Sequence, residues 1–142
     1  MAALTGNQIL KLQGGVAGCT VKSRRVLANT HIRKGGMVGI TAAGFARPFT
    51  AGDQFGGHAL QEVNNNTATN GKYRVDCAAD IYTVTVPAFD SVTIANFGDA
   101  VGAASDNHAD LTQTATNQVG VIADVNDNGV AVTFKTADAG GA

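Results

Sequence analysis

A chain of 142 residues with a formal charge of −1 is sized for one domain that buries about 68–70% of its unfolded surface. Trp is absent and aromatic residues make up 6%, so the core must come from small and β-branched side chains; the 15% charged content suits a surface that packs against neighbours. No 18-residue apolar run exists, and Met1–Gly18 lacks a charged segment leading into an apolar one, which argues against a helical membrane span and against export.

Met1–Gly18 reads as a flexible Gly/Gln/Ala-rich arm with one weak apolar cluster at Ile9, Leu10 and Leu12. Strands are then expected at Cys19–Ala28, Gly36–Thr41, Phe45–Phe49, His58–Val63, Lys72–Cys77, Ile81–Val86, Ser91–Ile94, Ala100–Ala103, Gln118–Ala123 and Val130–Lys135. Ile81–Val86 alternates most cleanly, with Tyr82, Val84 and Val86 against Ile81, Thr83 and Thr85. Turn signals fall at Gly35-Gly36, Gly52-Asp53, Asn70-Gly71, Pro87 and Asn128-Gly129, the last a pair whose residues both accept positive φ. No segment has a convincing helical period, although one short helix fits near Asp76–Asp80 or in the arm. The pattern predicts an all-β fold, a small β-barrel or sandwich of short antiparallel strands. The arm would span 1–18, a single β domain 19–136 and a disordered C-terminal tail 137–142.

Charge order is more telling than net charge. Lys11, Lys22, Arg24, Arg25, Arg33, Lys34 and Arg47 all precede the first acid, Asp53. Residues 1–52 therefore carry +7, and residues 53–142 carry −8 (three basic against eleven acidic). Either a basic patch containing Lys11, Lys22, Arg24, Arg25, Arg33 and Lys34 docks on something acidic, or the two halves neutralise each other within the fold or across copies. Direct nucleic-acid binding is disfavoured, because the basic stretch lacks interleaved aromatics and any helical or RNA-binding signature.

The constellations that resemble chemistry do not assemble into a site. Asp124-Val-Asn126-Asp-Asn128-Gly129 matches the start of an EF-hand loop, but its twelfth position is Lys135 rather than Glu, and both flanks read as strands. Gly14–Thr20 is Gly-rich without a P-loop lysine. His31, His58 and His108 lie far apart, and Asp106 and Asp110 beside His108 read as a solvated loop. None of the three serines sits in a G-x-S-x-G turn. Cys19 and Cys77 read as free thiols, Cys77 buried in alternation with Tyr73 and Val75. The expectation is a non-enzyme with no cofactor and no metal.

Two longer patterns remain. Sliding Val38–Glu62 by 63 positions superposes Val38 on Val101, Gly39 on Gly102, Ala46 on Ala109 and Gly57 on Gly120, a hint of two related hairpins. In addition, GDAV from Gly98, the LTQTAT loop, VGVIAD from Val119, an Asn/Gly hairpin and AVTFK ending at Lys135 form one set of motifs. KGGMVGITAAGFARPFTAGDQFGGHALQE over Lys34–Glu62 forms the other. Together they resemble the two halves of small tailed-bacteriophage capsid decoration (cement) proteins. The resemblance implies a β-rich protein, a homotrimer or else a dimer, that binds the major capsid protein on the outside of a phage head. It would be found on the virion, and in the host cytoplasm during assembly. The competing expectation is a small β-barrel surface-binding module for carbohydrate or host adhesion. Against it, carbohydrate recognition uses exposed aromatics, and the two tyrosines, Tyr73 and Tyr82, fall at strand positions.

Overall fold

A computed structural model describes residues 4, 6–8, 10–12, 19–86, 92–106, 108–111, 118–126 and 129–139, with backbone alone at 104 and 108–110. Twelve strands follow in chain order: β1 Thr20–Arg25, β2 Thr30–Ile32, β3 Met37–Ile40, β4 Ala46–Pro48, β5 Gln54–Ala59 and β6 Val63–Asn65, then β7 Arg74–Ala79, β8 Ile81–Val86, β9 Ala100–Ser105, β10 His108–Asp110, β11 Gln118–Asn126 and β12 Gly129–Lys135. They form two five-stranded antiparallel sheets, β1-β7-β5-β3-β4 and β10-β9-β11-β12-β8, and a two-stranded ribbon, β2-β6. No barrel closes among the described residues, so of the two all-β architectures expected the chain adopts the sandwich-like one.

Alternation within each strand decides which residues meet. In the first sheet Met37, Phe49, Phe55 and Ala78 point to one side and pack on Tyr82, Val84, Val101, Ile122, Val130, Val132 and Phe134 of the second sheet. Val38, Ala46, Ala59, Val75 and Cys77 point to the other side, where they bury a second cluster with Val26 and with Ile32 of the β2-β6 ribbon. The first sheet is thus covered on both faces. Among the described residues the second is covered on one, although Ala131 on its other face is buried too.

The two sheets are the same structure twice. Read from the β1 and β8 edges, both have the order first, fifth, fourth, second, third strand of their own set. Met37 faces His58, Val38 faces Gly57 and Gly39 faces Phe55; 63 residues on, Ala100 faces Val121, Val101 faces Gly120 and Gly102 faces Gln118. Both pairings are broken by a bulge at the same step. The neighbouring pairs Gly39 with Arg47 and Ile40 with Ala46 recur as Gly102 with Asp110 and Ala103 with Ala109. Four identities therefore mark a structural repeat. The first unit carries β2 and β6 in addition, and this extra ribbon fills the face that in the second unit is filled by the first sheet.

Several expected boundaries move. Ser91–Ile94 is not a strand over its described part: Ile94–Asn96 form a 3₁₀ turn, because Thr93 Oγ1 accepts the Ala95 N–H and Asn96 Oδ1 accepts the Thr93 N–H. The strand expected at His58–Val63 starts at Gln54, directly after the Gly52-Asp53 turn, and is separated from β6 where the Leu60 N–H bonds the Asp76 carbonyl. Asp76–Ala79 is strand, not helix. Asn126 pairs with Gly129, so Gly129 opens β12 rather than sharing the centre of a turn with Asn128, which lies outside the described residues. The short strands β2 and β10 were hidden by their polar composition. In the arm, Leu12 bridges Val84, the Thr85 N–H donates to the Lys11 carbonyl, and Leu10 and Leu12 pack on the inter-sheet core. Of the segment expected as a tail, Ala137 donates its N–H to the Phe55 carbonyl and Ala139 is buried; 140–142 lie outside the described residues.

Candidate functional site

The six basic residues proposed as a patch sit on three elements and have different partners. Lys22 and Arg24 alternate on β1 beside Cys77 and Val75 of β7, and both reach across to the acidic half. Lys22 Nζ lies 2.8 Å from Asp80 Oδ1 and 3.5 Å from Asp138 Oδ2. Arg24 donates from both terminal nitrogens to both oxygens of Asp138, one of them at 2.9 Å, while only 13% of its side chain is exposed. This fork holds the Asp138 carboxyl well below the usual carboxylate range and raises the guanidinium in turn. Arg33 donates to Glu62 at 2.9 Å, and His31 Nε2 is 2.6 Å from the same oxygen. The His31 contact, then Asn7, hold the Glu62 carboxyl down. Arg47, outside the patch, is doubly bonded to Asp53.

Four of the seven basic residues of the first half, Lys22, Arg24, Arg33 and Arg47, are therefore matched by acids of the second half inside the fold. Lys11, Arg25 and Lys34 make no ion pair with a described residue, and all three are exposed. Arg25 stands directly opposite Arg74 in the β1–β7 register, a like-charge pair that favours an incoming acid. Lys34 borders a surface cavity of about 550 Å³ lined by Asn7, Gln8, Leu10, Leu12, Ala59 and Leu60. Lys11 lies on the same arm segment.

Other titratable groups are enclosed by the fold. His58 is buried among Phe55, Tyr82 and Phe134, with Nδ1 2.6 Å from the Tyr82 hydroxyl; burial lowers its pKa to about 3. Burial also raises Tyr82, and pushes the Cys77 thiol up to about 12. Neither Cys19 nor Cys77 is in a disulfide. Asp106, read from sequence as a solvated loop residue, is buried: its Oδ1 accepts the Leu4 N–H at 2.9 Å and its carbonyl accepts the Met37 N–H. Desolvation raises its pKa, with the Leu4 bond opposing. No signal in the local sequence distinguishes this Asp from Asp110. Among the described residues no three His, Cys, Asp or Glu side chains converge as a metal site, and no helix is long and apolar enough to cross a membrane. Compared with known proteins, the chain matches no family model, no curated protein and no solved structure.

Proposed function

We propose that this protein is a non-enzymatic capsid decoration protein, a cement that binds the outside of a tailed-phage head and clamps neighbouring major capsid subunits as a symmetric homo-oligomer. The observation that carries the reading is the resemblance along residues 34–135. Its two motif blocks lie on the two repeated units, Lys34–Glu62 across β3–β5 and Gly98–Lys135 across β9–β12. A sandwich stiffened by two cores suits a scaffold.

The working surfaces under this reading are the exposed Lys11, Arg25 and Lys34. Each copy needs only a modest contact. A symmetric oligomer makes its second and later contacts intramolecular, which raises avidity by about 10²–10⁴-fold over a single contact. The alternative, a surface-binding module, draws on exposed Tyr73 and Phe97, 43% and 68% accessible. Co-sedimentation separates the two. The purified protein pellets with assembled, protein-free-of-glycan phage heads under the cement reading. It stays in the supernatant with heads and is retained on glycan resin under the alternative.

A further inference from the structure

The repeat assigns a role to the sheet face that the described residues leave open. In the first unit the face bearing Met37, His58 and Ala78 is buried under the second sheet. The same positions in the second unit, by register, are Ala100, Val121 and Thr133, and none of these is buried. They continue into Thr83 and Ile81 of β8, and Ile81 is 57% exposed. A depression of about 420 Å³ lies there, lined by Ile81, Gln118, Val121, Thr133 and Lys135 among others.

Among the described side chains, two charges on this face stand at opposite ends. Lys135 faces Ile81 across β12–β8, and Asp124 faces Ala131 across β11–β12. Val121 paired with Thr133 is midway between them. Neither Lys135 nor Asp124 makes an ion pair with a described residue, and both are exposed. A two-fold axis lying in the face and running across the strands at Val121 and Thr133 reverses strand direction between copies. It therefore lays Lys135 of one copy over the Ala131–Asp124 end of the other, twice. An axis along the strands would instead bring like ends together.

We infer that a second copy of this chain covers this face, sheet on sheet, with Val121, Thr133, Thr83 and Ile81 at the centre and the two Lys135–Asp124 pairs at the ends. The contact continues the stacking already made inside the chain, where the equivalent face meets a sheet. Four strands at about 4.8 Å spacing and about 20 Å long offer on the order of 400 Å² per copy. That is small beside a stable interface of about 1,200–2,000 Å² in total, so association is concentration-dependent. Of the stoichiometries expected from sequence, this geometry favours the dimer. It does not depend on the capsid reading.

Sedimentation equilibrium of the full chain without capsids, from about 1 to 300 µM, tests it. The expected result is a mass rising from 14.4 kDa to twice that value. Ile81→Asp, at an exposed position that tolerates the change, should hold the protein at monomer mass. Lys135→Asp should weaken association on the order of tenfold, and Lys135→Asp with Asp124→Lys should restore it. A wild type that stays monomeric throughout, an oligomer indifferent to Ile81→Asp, or a double variant no better than the single one overturns the inference. Thermal melts of each variant show that it is folded.

Discussion

Gly120 stands to Thr133 as Gly57 stands to Ala78. Each glycine faces a valine on one side, and on the other a methyl group in its place would collide with the carbonyl of the neighbouring strand, Ala78 for Gly57 and Thr133 for Gly120. The backbone carbonyl cannot swing aside as a side chain would, so both positions require glycine for close approach. Gly57 also has a φ of +114°. Gly57→Ala and Gly120→Ala are each expected to cost about 2–4 kcal/mol in urea unfolding, the former more. A loss under about 0.5 kcal/mol for either would show that its strand is not held as closely as the structure has it.

His58 sets an acid limit on stability. Its folded pKa of about 3 lies below the 6.5 of the unfolded chain, so below pH 6.5 the unfolded state binds a proton that the folded state refuses. Stability falls as pH drops from 6.5 toward 3, by about 1.4 kcal/mol per pH unit. Asp138 acts only at the acid end of that window and below it: its depressed pKa contributes stability that is lost only as pH falls below the ordinary 3.8. Urea unfolding between pH 7 and 4.5 should show the slope in the wild type and a flatter profile in His58→Gln. Parallel profiles would remove His58 as the cause.

Arg24 depends on Asp138 more than the reverse, because the arginine is the more buried partner. Asp138→Ala strands it, and the expected loss is about 1–2 kcal/mol, reduced from a fully buried pair by the exposure of the carboxylate. Lys22→Ala, which leaves Asp138 still held by Arg24 and Asp80 partly in water, should cost less. Chemical denaturation of both variants ranks them, and equal losses would contradict the assignment.

Binding to capsids should weaken as salt rises if Lys11, Arg25 and Lys34 face an acidic shell, since exposed charges are screened over about 8 Å at physiological ionic strength. Replacing all three by Ala should reduce occupancy at 50 mM salt and flatten the salt dependence. Arg33→Ala and Lys22→Ala, whose charges are already matched inside the fold, should change it little. Occupancy independent of salt and of the triple substitution would move the docking surface elsewhere.

What could be read in the sequence was what period two writes plainly. Ile81–Val86 matches its observed bounds because Tyr82 and Val84 are buried and Ile81 and Thr83 are not. The alternation of Val75 and Cys77 against Arg74 and Asp76 likewise gave the buried thiol. Strands β2 and β10 were illegible, being three residues each and kept by pairing rather than by apolar content. Half of the basic patch is neutralised for a topological reason: Asp80, Glu62 and Asp138 are distant in sequence from Lys22, Arg33 and Arg24, and only the fold brings them together. The repeat was visible only as four identities, because pairing register is preserved where side chains are not. Ala78 and Thr133, or His58 and Val121, share a place and nothing else. The open face of the second sheet follows from that equivalence and from no motif.

The proposal that the protein is a capsid cement is tested most directly by heating phage heads with and without it. A protein that binds assembled shell and not separated subunits stabilises the shell by mass action, by RT ln(1 + [L]/Kd) for each site. At about 100 times Kd that is about 2.7 kcal/mol per site, enough to be seen as a delay in DNA release. Decorated heads should therefore release their DNA several degrees above bare heads, with the shift growing as free protein is raised toward saturation. Release at the same temperature from bare and fully decorated heads would contradict the account.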